Sequence, residues 1–482
     1  MNPPKVRVGT IYLLAAQSVF LVSGYVMHIV LGRHLGPAEY GLFGVVLYAA
    51  AIIRTFVSSG FPMAVAKFVS AVPERAESIF RKSFSFQLLL AVIISLTFFI
   101  FAPNIARLLG DDALIPLFQV ISPIPIFFGT FFLVIQYYNG LRRYLTQSGW
   151  LTISYILRAA LAIGLAVAGF HVFGAVVGIV LASAVVSIAI LITRKKSSSA
   201  EKFAPSELIY FSAPLIISSI SHAFLMDLDL MFVKRLVPDA ASTGYYTSAK
   251  ALAQAIPFAF FALSGALYPA VSRAYSANNM QKLKNYIEQA NRLLIAVVLP
   301  LIAIITIESD SILVLFFGGQ YLPGAAILRW LIISFSLLAI FIIHKTVITG
   351  CGYPKISSFL TISLLPFNVI LLLVLIPRYG FIGAAVASTI TFSSGVLMST
   401  LVLYRKFNCG FNLPATFRIL IAVLFVITAE FVFLQMGLNL FFRLFLTGSV
   451  YLLALRFLGE LRNINLQELI TGLTGTDKSK KG

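Results

Sequence analysis

The stretch LGRHLGPAEYGLFGVV, residues 31–46, decides how this chain is built. It interrupts two apolar runs, 10–31 and 41–62, each about the 20 residues that a helix needs to cross a bilayer. Further apolar runs follow at 83–106, 113–138, 149–169, 172–193, 208–233, 245–271, 291–316, 324–347, 356–376, 381–403, 415–436 and 438–458. Backbone groups in hydrocarbon find no water to bond, so runs of this length are predicted to be helices. The tightest joins are 169–172, 376–381 and 436–438. Composition agrees: the chain is 59% hydrophobic and 11% charged, against roughly 45–50% and 25% in soluble domains. About fourteen spans of about 20 residues leave short loops and no room for a large soluble domain. The first run follows Lys5 and Arg7, is too long for a signal-peptide core, and is read as the first span.

Lys and Arg outnumber Asp and Glu by 36 to 17, which in a soluble protein would suggest nucleic acid. Here topology absorbs the excess, and no nucleic-acid partner is expected. With the amino terminus placed in the cytoplasm, 25 of the 36 basic residues fall on that side, six on the other and five within spans. Such a bias is the positive-inside pattern, and it predicts both termini in the cytoplasm of a multi-pass cell-membrane protein. Cys351 and Cys409 fall in cytoplasmic connections and imply no disulfide framework.

The opening stretch has a second version. VKRLVPDAASTGYY (233–246) follows the seventh run as residues 31–46 follow the first. YYNGLRRYLTQSGWLTISYILR (137–158) returns as TVITGCGYPKISSFLTISLLPF (346–367), and GFHVFGAVVGIVLAS (169–183) as RYGFIGAAVASTIT (378–391). Order and spacing hold, with offsets of about 203, 210 and 209 residues. The expected fold is therefore an all-α polytopic membrane protein of about fourteen transmembrane helices. Two six-helix lobes would be related by a pseudo-two-fold axis along the membrane normal, with a C-terminal helix pair added. The corresponding domains are 1–207, 208–404 and 405–482, and the polar link RKKSSSAEKFAPSE (194–207) marks the first boundary.

LGRHLGPAEYGLFGVV, followed by Gly60 and AVAKFVS (64–70), resembles the first loop and second helix of polysaccharide flippases. These belong to the multidrug/oligosaccharidyl-lipid/polysaccharide exporter superfamily, and the likeness is to its O-antigen and teichoic-acid exporter type. GYYTSAKALAQAIPFAFFALSGALYPAVSRAYS (244–276) resembles their eighth helix, and the similarity runs along residues 10–404. The terminal pair, 415–458, agrees with that family in number but carries no recognisable motif. The resemblance implies movement of an isoprenoid-pyrophosphate-linked oligosaccharide from the inner to the outer leaflet. It also implies a groove for the isoprenoid at the terminal pair, and glycan polymerase or ligase partners. The chain is expected to act as a monomer among membrane lipids.

Charges within spans are costly, at least about 2.5–3.5 kcal/mol each, and so each is a candidate functional group. Arg54 lies near the middle of the second span, and Arg158 lies in the fifth with Ser154 and Tyr155 on its face. Lys250 lies in the eighth, with Gln254 a turn further in. These three cations are expected to form a cationic cavity, Arg as a bidentate phosphate ligand and Lys as a point charge. A snorkelling side chain or a structural ion pair is the plain alternative for each. Arg329 and Lys345, near opposite ends of the tenth span, are secondary candidates that can reach headgroups. Asp227 and Asp229 lie on the seventh span, about 200° apart around the helix, and are not expected to share a metal. Asp227 is a candidate partner for Lys250, and Asp229 is expected near the outer end, meeting water. The first-half acids, among them Glu77 and Asp111, are expected in loops, and Glu430, isolated on the thirteenth span, is expected to make a local hydrogen bond.

His28, His222 and His344 lie in different spans and read as helix-contact residues. No metal spacing, nucleophile–base pattern or phosphate loop appears, so no metal, cofactor, ATP use or enzymatic activity is expected. Pro123, Pro125, Pro214, Pro257, Pro300 and Pro366 are expected to shape helices, and Gly174 and Gly178 to allow close packing. The expected mechanism is alternating access by rocking lobes. The competing readings are a cation-coupled multidrug exporter and a lipid II flippase. The first would need an ion-binding carboxylate within the first half, and the second shares the cavity chemistry. A scaffold or a membrane glycosyltransferase has no support in the sequence.

Overall fold

The computed structural model describes residues 6–194 and 205–460. Most of the link at 194–207, the tail beyond Glu460 and the side chain of Pro214 lie outside the described residues. Helix is the only regular secondary structure among those described. Among the described residues, eleven helical segments are long and apolar enough to cross a membrane.

Three of these are too long for one crossing: Ile11–Ala71, Tyr144–Thr193 and Pro354–Phe407, of 61, 50 and 54 residues. Each carries a glycine in a backbone conformation that no helix contains. Helix α1, Val6–Ser58, turns at Gly36 with φ 72° and ψ 171°, and Pro37 begins the next stretch. Helix α2, Phe61–Ala71, follows after Gly60. The pair α6, Tyr144–Leu165, and α7, His171–Thr193, turns at Gly169 with φ 97°. Helix α15, Pro354–Phe407, turns at Gly380 with φ 59°. A side chain at such angles is strained, which is why glycine stands at these joins.

The intervening elements are α3, Ala76–Leu108; α4, Leu114–Ile121; and α5, Ile124–Gly140. They continue as α8, Pro205–Leu236; α9, Ala240–Ala253; α10, Ala255–Ala259; α11, Phe261–Ser276; and α12, Met280–Ile307. The remainder are α13, Ser309–Phe317; α14, Ala325–Gly350; α16, Leu413–Gln435; and α17, Leu440–Phe457. Four apolar runs expected to be single helices are broken, the run 41–62 between Ser58 and Phe61. Run 113–138 breaks at Ser122–Pro123, where proline supplies no N–H. Run 245–271 breaks at Gln254 and again at Phe260, on either side of Pro257. Run 291–316 breaks at Glu308, with no proline present.

The chain divides into two compact units, Met1–Ser248 and Ala249–Gly482. In the first, α8 packs against α1 and α2, so this division falls within α9 rather than at the polar link. Close approach explains the opening motif. A Cβ on Gly244 of α9 would lie 1.9 Å from the Pro37 carbonyl oxygen, and one on Gly41 would lie 2.8 Å from the Gly244 nitrogen. Gly44 meets Thr247 in the same way, at 2.2 Å. Tyr40, fully buried, shares a 2.7 Å hydrogen bond with Nδ1 of His28. Likewise Gly178 lets α7 press on the Leu161 backbone at 2.5 Å, as the small-residue spacing predicts.

In the second unit α16 and α17 pack together, and α16 lies against α12. Tyr451 donates from its hydroxyl to the Ala296 carbonyl at 2.5 Å within an apolar cluster of these helices.

Candidate functional site

Arg54 stands on the second half of α1 and Arg158 on α6. Both side chains are half-buried, and the Nε atom of each is inaccessible with no hydrogen-bond partner. The Arg54 guanidinium lies 4.9 Å from the Phe128 ring of α5, and that of Arg158 lies 5.8 Å from the Phe20 ring of α1. Phe20 and Tyr155 are themselves 5.0 Å apart. Arg54 sits in the field of Arg158, Asp227 and Tyr155. Among the described residues, neither arginine forms a salt bridge. Two guanidinium groups thus lie within each other's field between packed helices, with ring faces beside them and no salt bridge among the described residues. Aromatic rings attract cations but do not cancel their charge. An anion with several acceptor oxygens would satisfy what the protein leaves open.

Lys250 is fully buried, and Gln254 stands half-buried at the break after α9. Lys345 on α14 lies 5.4 Å from the Phe341 ring and is half-buried. Arg329 is exposed and paired with Asp310 at 2.7 Å, its Nε donating to Ser309, so the ion-pair alternative holds there.

The acids depart furthest from expectation. Asp229 does not meet water: it is 3% exposed and accepts from the Tyr246 hydroxyl at 2.7 Å. Asp227 is buried as well, and it acts on Arg54. No group of three metal-ligating side chains occurs among the described residues. Glu77 is no loop residue; it lies buried in the first turn of α3, gripped by Arg194 at 2.8 and 3.0 Å. Glu430 makes the hydrogen bond expected of it, accepting from Thr447, and also lies 3.7 Å from Arg443. Arg443, counted with the outer loops, is buried and holds Glu308 at 2.6 Å. These partners are distant in sequence, so spacing carried no signal of them. His28 and His344 are hydrogen-bonded helix contacts, the latter to Ser399 at 3.0 Å and Asn291 at 3.1 Å. The two cysteine thiols are free and buried, and burial pushes Cys351 up to about 12, which keeps it inert.

The model of the polysaccharide biosynthesis protein family matches residues 6–275, more than half of the chain, and the MatE model matches 214–374. An uncharacterized membrane protein of Methanocaldococcus jannaschii is 24% identical over 421 residues, 82% of this chain and 97% of that one. A probable low-salt glycan biosynthesis flippase of Haloferax volcanii, Agl15, is 24% identical over 191 residues, 40% of each chain. Among solved structures, the inward closed lipid II flippase MurJ superposes with a TM-score of 0.77 at 14% identity. That match covers 95% of this chain and 99% of that one, and shows the shared fold.

Proposed function

The chain belongs to the polysaccharide biosynthesis protein family, and on that premise we propose that it flips an isoprenoid-pyrophosphate-linked oligosaccharide from the cytoplasmic to the outer leaflet of the cell membrane. It is a multi-pass flippase or transporter of the multidrug/oligosaccharidyl-lipid/polysaccharide exporter superfamily, not an enzyme. The observation that carries the substrate reading is the Arg54–Arg158 pair, two neighbouring cations without a carboxylate salt bridge. A pyrophosphate cannot enter hydrocarbon without compensation of its charge. We assign that compensation to Arg54 and Arg158, and keep Lys250, Asp227, Asp229 and Gln254 as candidate substrate contacts because they are charged or polar groups within spans. Arg329 and Lys345 stand outside this set. The flippase named among the relatives acts in glycan biosynthesis, which favours a glycan substrate.

Counting each glycine-broken segment as two crossings agrees with about fourteen spans. Lobes at 1–207 and 208–404 with a terminal pair, both termini cytoplasmic, and alternating access complete the reading. The chain acts as a monomer and hands its substrate to a polymerase or ligase.

The test is transport of a lipid-linked oligosaccharide by purified protein in proteoliposomes. Each charge-assisted contact contributes about 1.5–3 kcal/mol, so Arg54→Gln or Arg158→Gln lowers apparent affinity by roughly ten- to a hundredfold. The double variant stops transport while insertion and melting are retained. Normal transport by the double variant removes the assignment. A multidrug exporter is the second reading, favoured by the MatE match; transport of cationic drugs by the same vesicles would establish it.

A further inference from the structure

Helix α12 is tied to the terminal pair α16–α17 at both ends by charged triads of opposite make-up. At one end Arg292 and Arg418 share Glu460. The surplus positive charge there is relieved by water, because the Arg418 side chain is 45% exposed. At the other end Glu308 and Glu430 share Arg443. There the surplus is negative, and both carboxyl side chains are 0% exposed.

Each oxygen of this second triad can be accounted for. Glu308 Oε2 accepts from Arg443 at 2.6 Å, and Glu430 Oε2 accepts from the Thr447 hydroxyl. Glu308 Oε1 and Glu430 Oε1 remain, both inaccessible and both without a hydrogen-bond donor. Both carboxyls converge on one guanidinium, Glu308 Oε2 at 2.6 Å and Glu430 Oε1 at 3.7 Å from Arg443. Two bare carboxylate oxygens repel; one proton between them makes a hydrogen bond and brings the triad to neutrality. Arg443 cannot neutralise both, and it sits in the first turn of α17, where the helix dipole already disfavours a cation. The other charged groups nearby are engaged elsewhere: Asp310, beside Glu308, is paired with Arg329 of α14. Tyr451, two turns along α17, donates to the Ala296 carbonyl of α12. A metal cation fits poorly, since hard cations take about six oxygen ligands and two are free here.

We propose that Glu308, Glu430 and Arg443 form a binding site for a single proton, shared between the two carboxyls and holding the terminal helix pair to α12. The ligand is the proton itself, and the site is separate from the arginine pair to which the substrate is assigned. Deprotonation leaves a net buried charge and loosens the junction of α12 with the pair.

Infrared difference spectroscopy of the full chain in nanodiscs, taken across a pH step, tests this directly. The wild type shows one protonated-carboxyl C=O band that disappears at high pH. In Glu430→Gln the remaining Glu308 faces Arg443 alone, stays ionised, and the whole band is lost. Glu308→Gln also removes the whole band, with Glu430 left to Arg443. Full loss from either single substitution is the mark of one shared proton. A band that each substitution merely halves means two independent acids and overturns the proposal, as does a wild type without the band. Helical circular dichroism and elution volume, unchanged in both glutamine variants, show that the lost signal is chemical.

Discussion

Gly244 has no room for a methyl group, because its Cβ would sit 1.9 Å from the Pro37 carbonyl oxygen. Backbone cannot swing aside as a side chain can. Gly244→Ala therefore lowers stability by about 1–3 kcal/mol, the cost typical of overpacking. Gly448, in the middle of α17, has nothing within 4 Å of the same position. There alanine gains up to about 1 kcal/mol of helix propensity. Melting of the two purified variants should move in opposite directions, and equal shifts would refute the contact. Residues 31–46 and 244–276 drew attention in the sequence through resemblance, which could not say what the glycines do. The structure supplies the reason: Gly41 and Gly244 let α1 and α9 touch backbone to backbone, and Gly44 leaves room for the Thr247 side chain.

Among the helical elements, the joins expose the internal repeat most clearly. His171 begins α7 with φ 47° and ψ −139°, and Gly380, about 209 residues later, has φ 59° and ψ −143°. The same turn is made twice, once with glycine and once with a residue that pays for its Cβ. Such strain is about 1–3 kcal/mol. His171 offsets part of it through an Nδ1 contact to Glu39 at 3.5 Å and stacking on His34. Replacing His171 by Gly should raise the melting temperature, and placing His at Gly380 should lower it. Melting unchanged in both variants would show that the turn is unstrained. The tight joins and Pro123 were legible because glycine and proline act on their own backbone. The break at Glu308 was not: no glycine or proline marks it, and the partner of its side chain, Arg443, is 135 positions away. The arginine pair was half legible: the residues stood out as intramembrane charges, but their aromatic supports did not.

For the whole molecule, the topology read from Lys and Arg can be checked against ion pairs that played no part in the counting. Glu77 with Arg194, and Arg292 and Arg418 with Glu460, each join groups assigned to the cytoplasmic side. Asp111 with Lys234 joins two groups assigned to the opposite side, and Asp310 with Arg329 and Glu308 with Arg443 pair span residues near that same end. One span too many or too few between partners would have set them on opposite faces. These pairs support the proposed orientation of the helices without saying which face is cytoplasmic; the excess of basic residues argues for that. If the termini are cytoplasmic, a pyrophosphate head moves outward down an inside-negative potential. Two charges gain about 4–5 kcal/mol per 100 mV, more than a thousandfold in equilibrium, so the potential alone can drive export. In proteoliposomes, an imposed inside-negative potential should speed outward flipping of the lipid-linked oligosaccharide. Collapsing it with valinomycin in equal potassium should slow flipping by a similar factor. A neutral lipid-linked sugar carried by the same protein should show no such dependence. If the charged substrate moves at one rate under both conditions, the potential is not the drive, and a coupled ion must take its place.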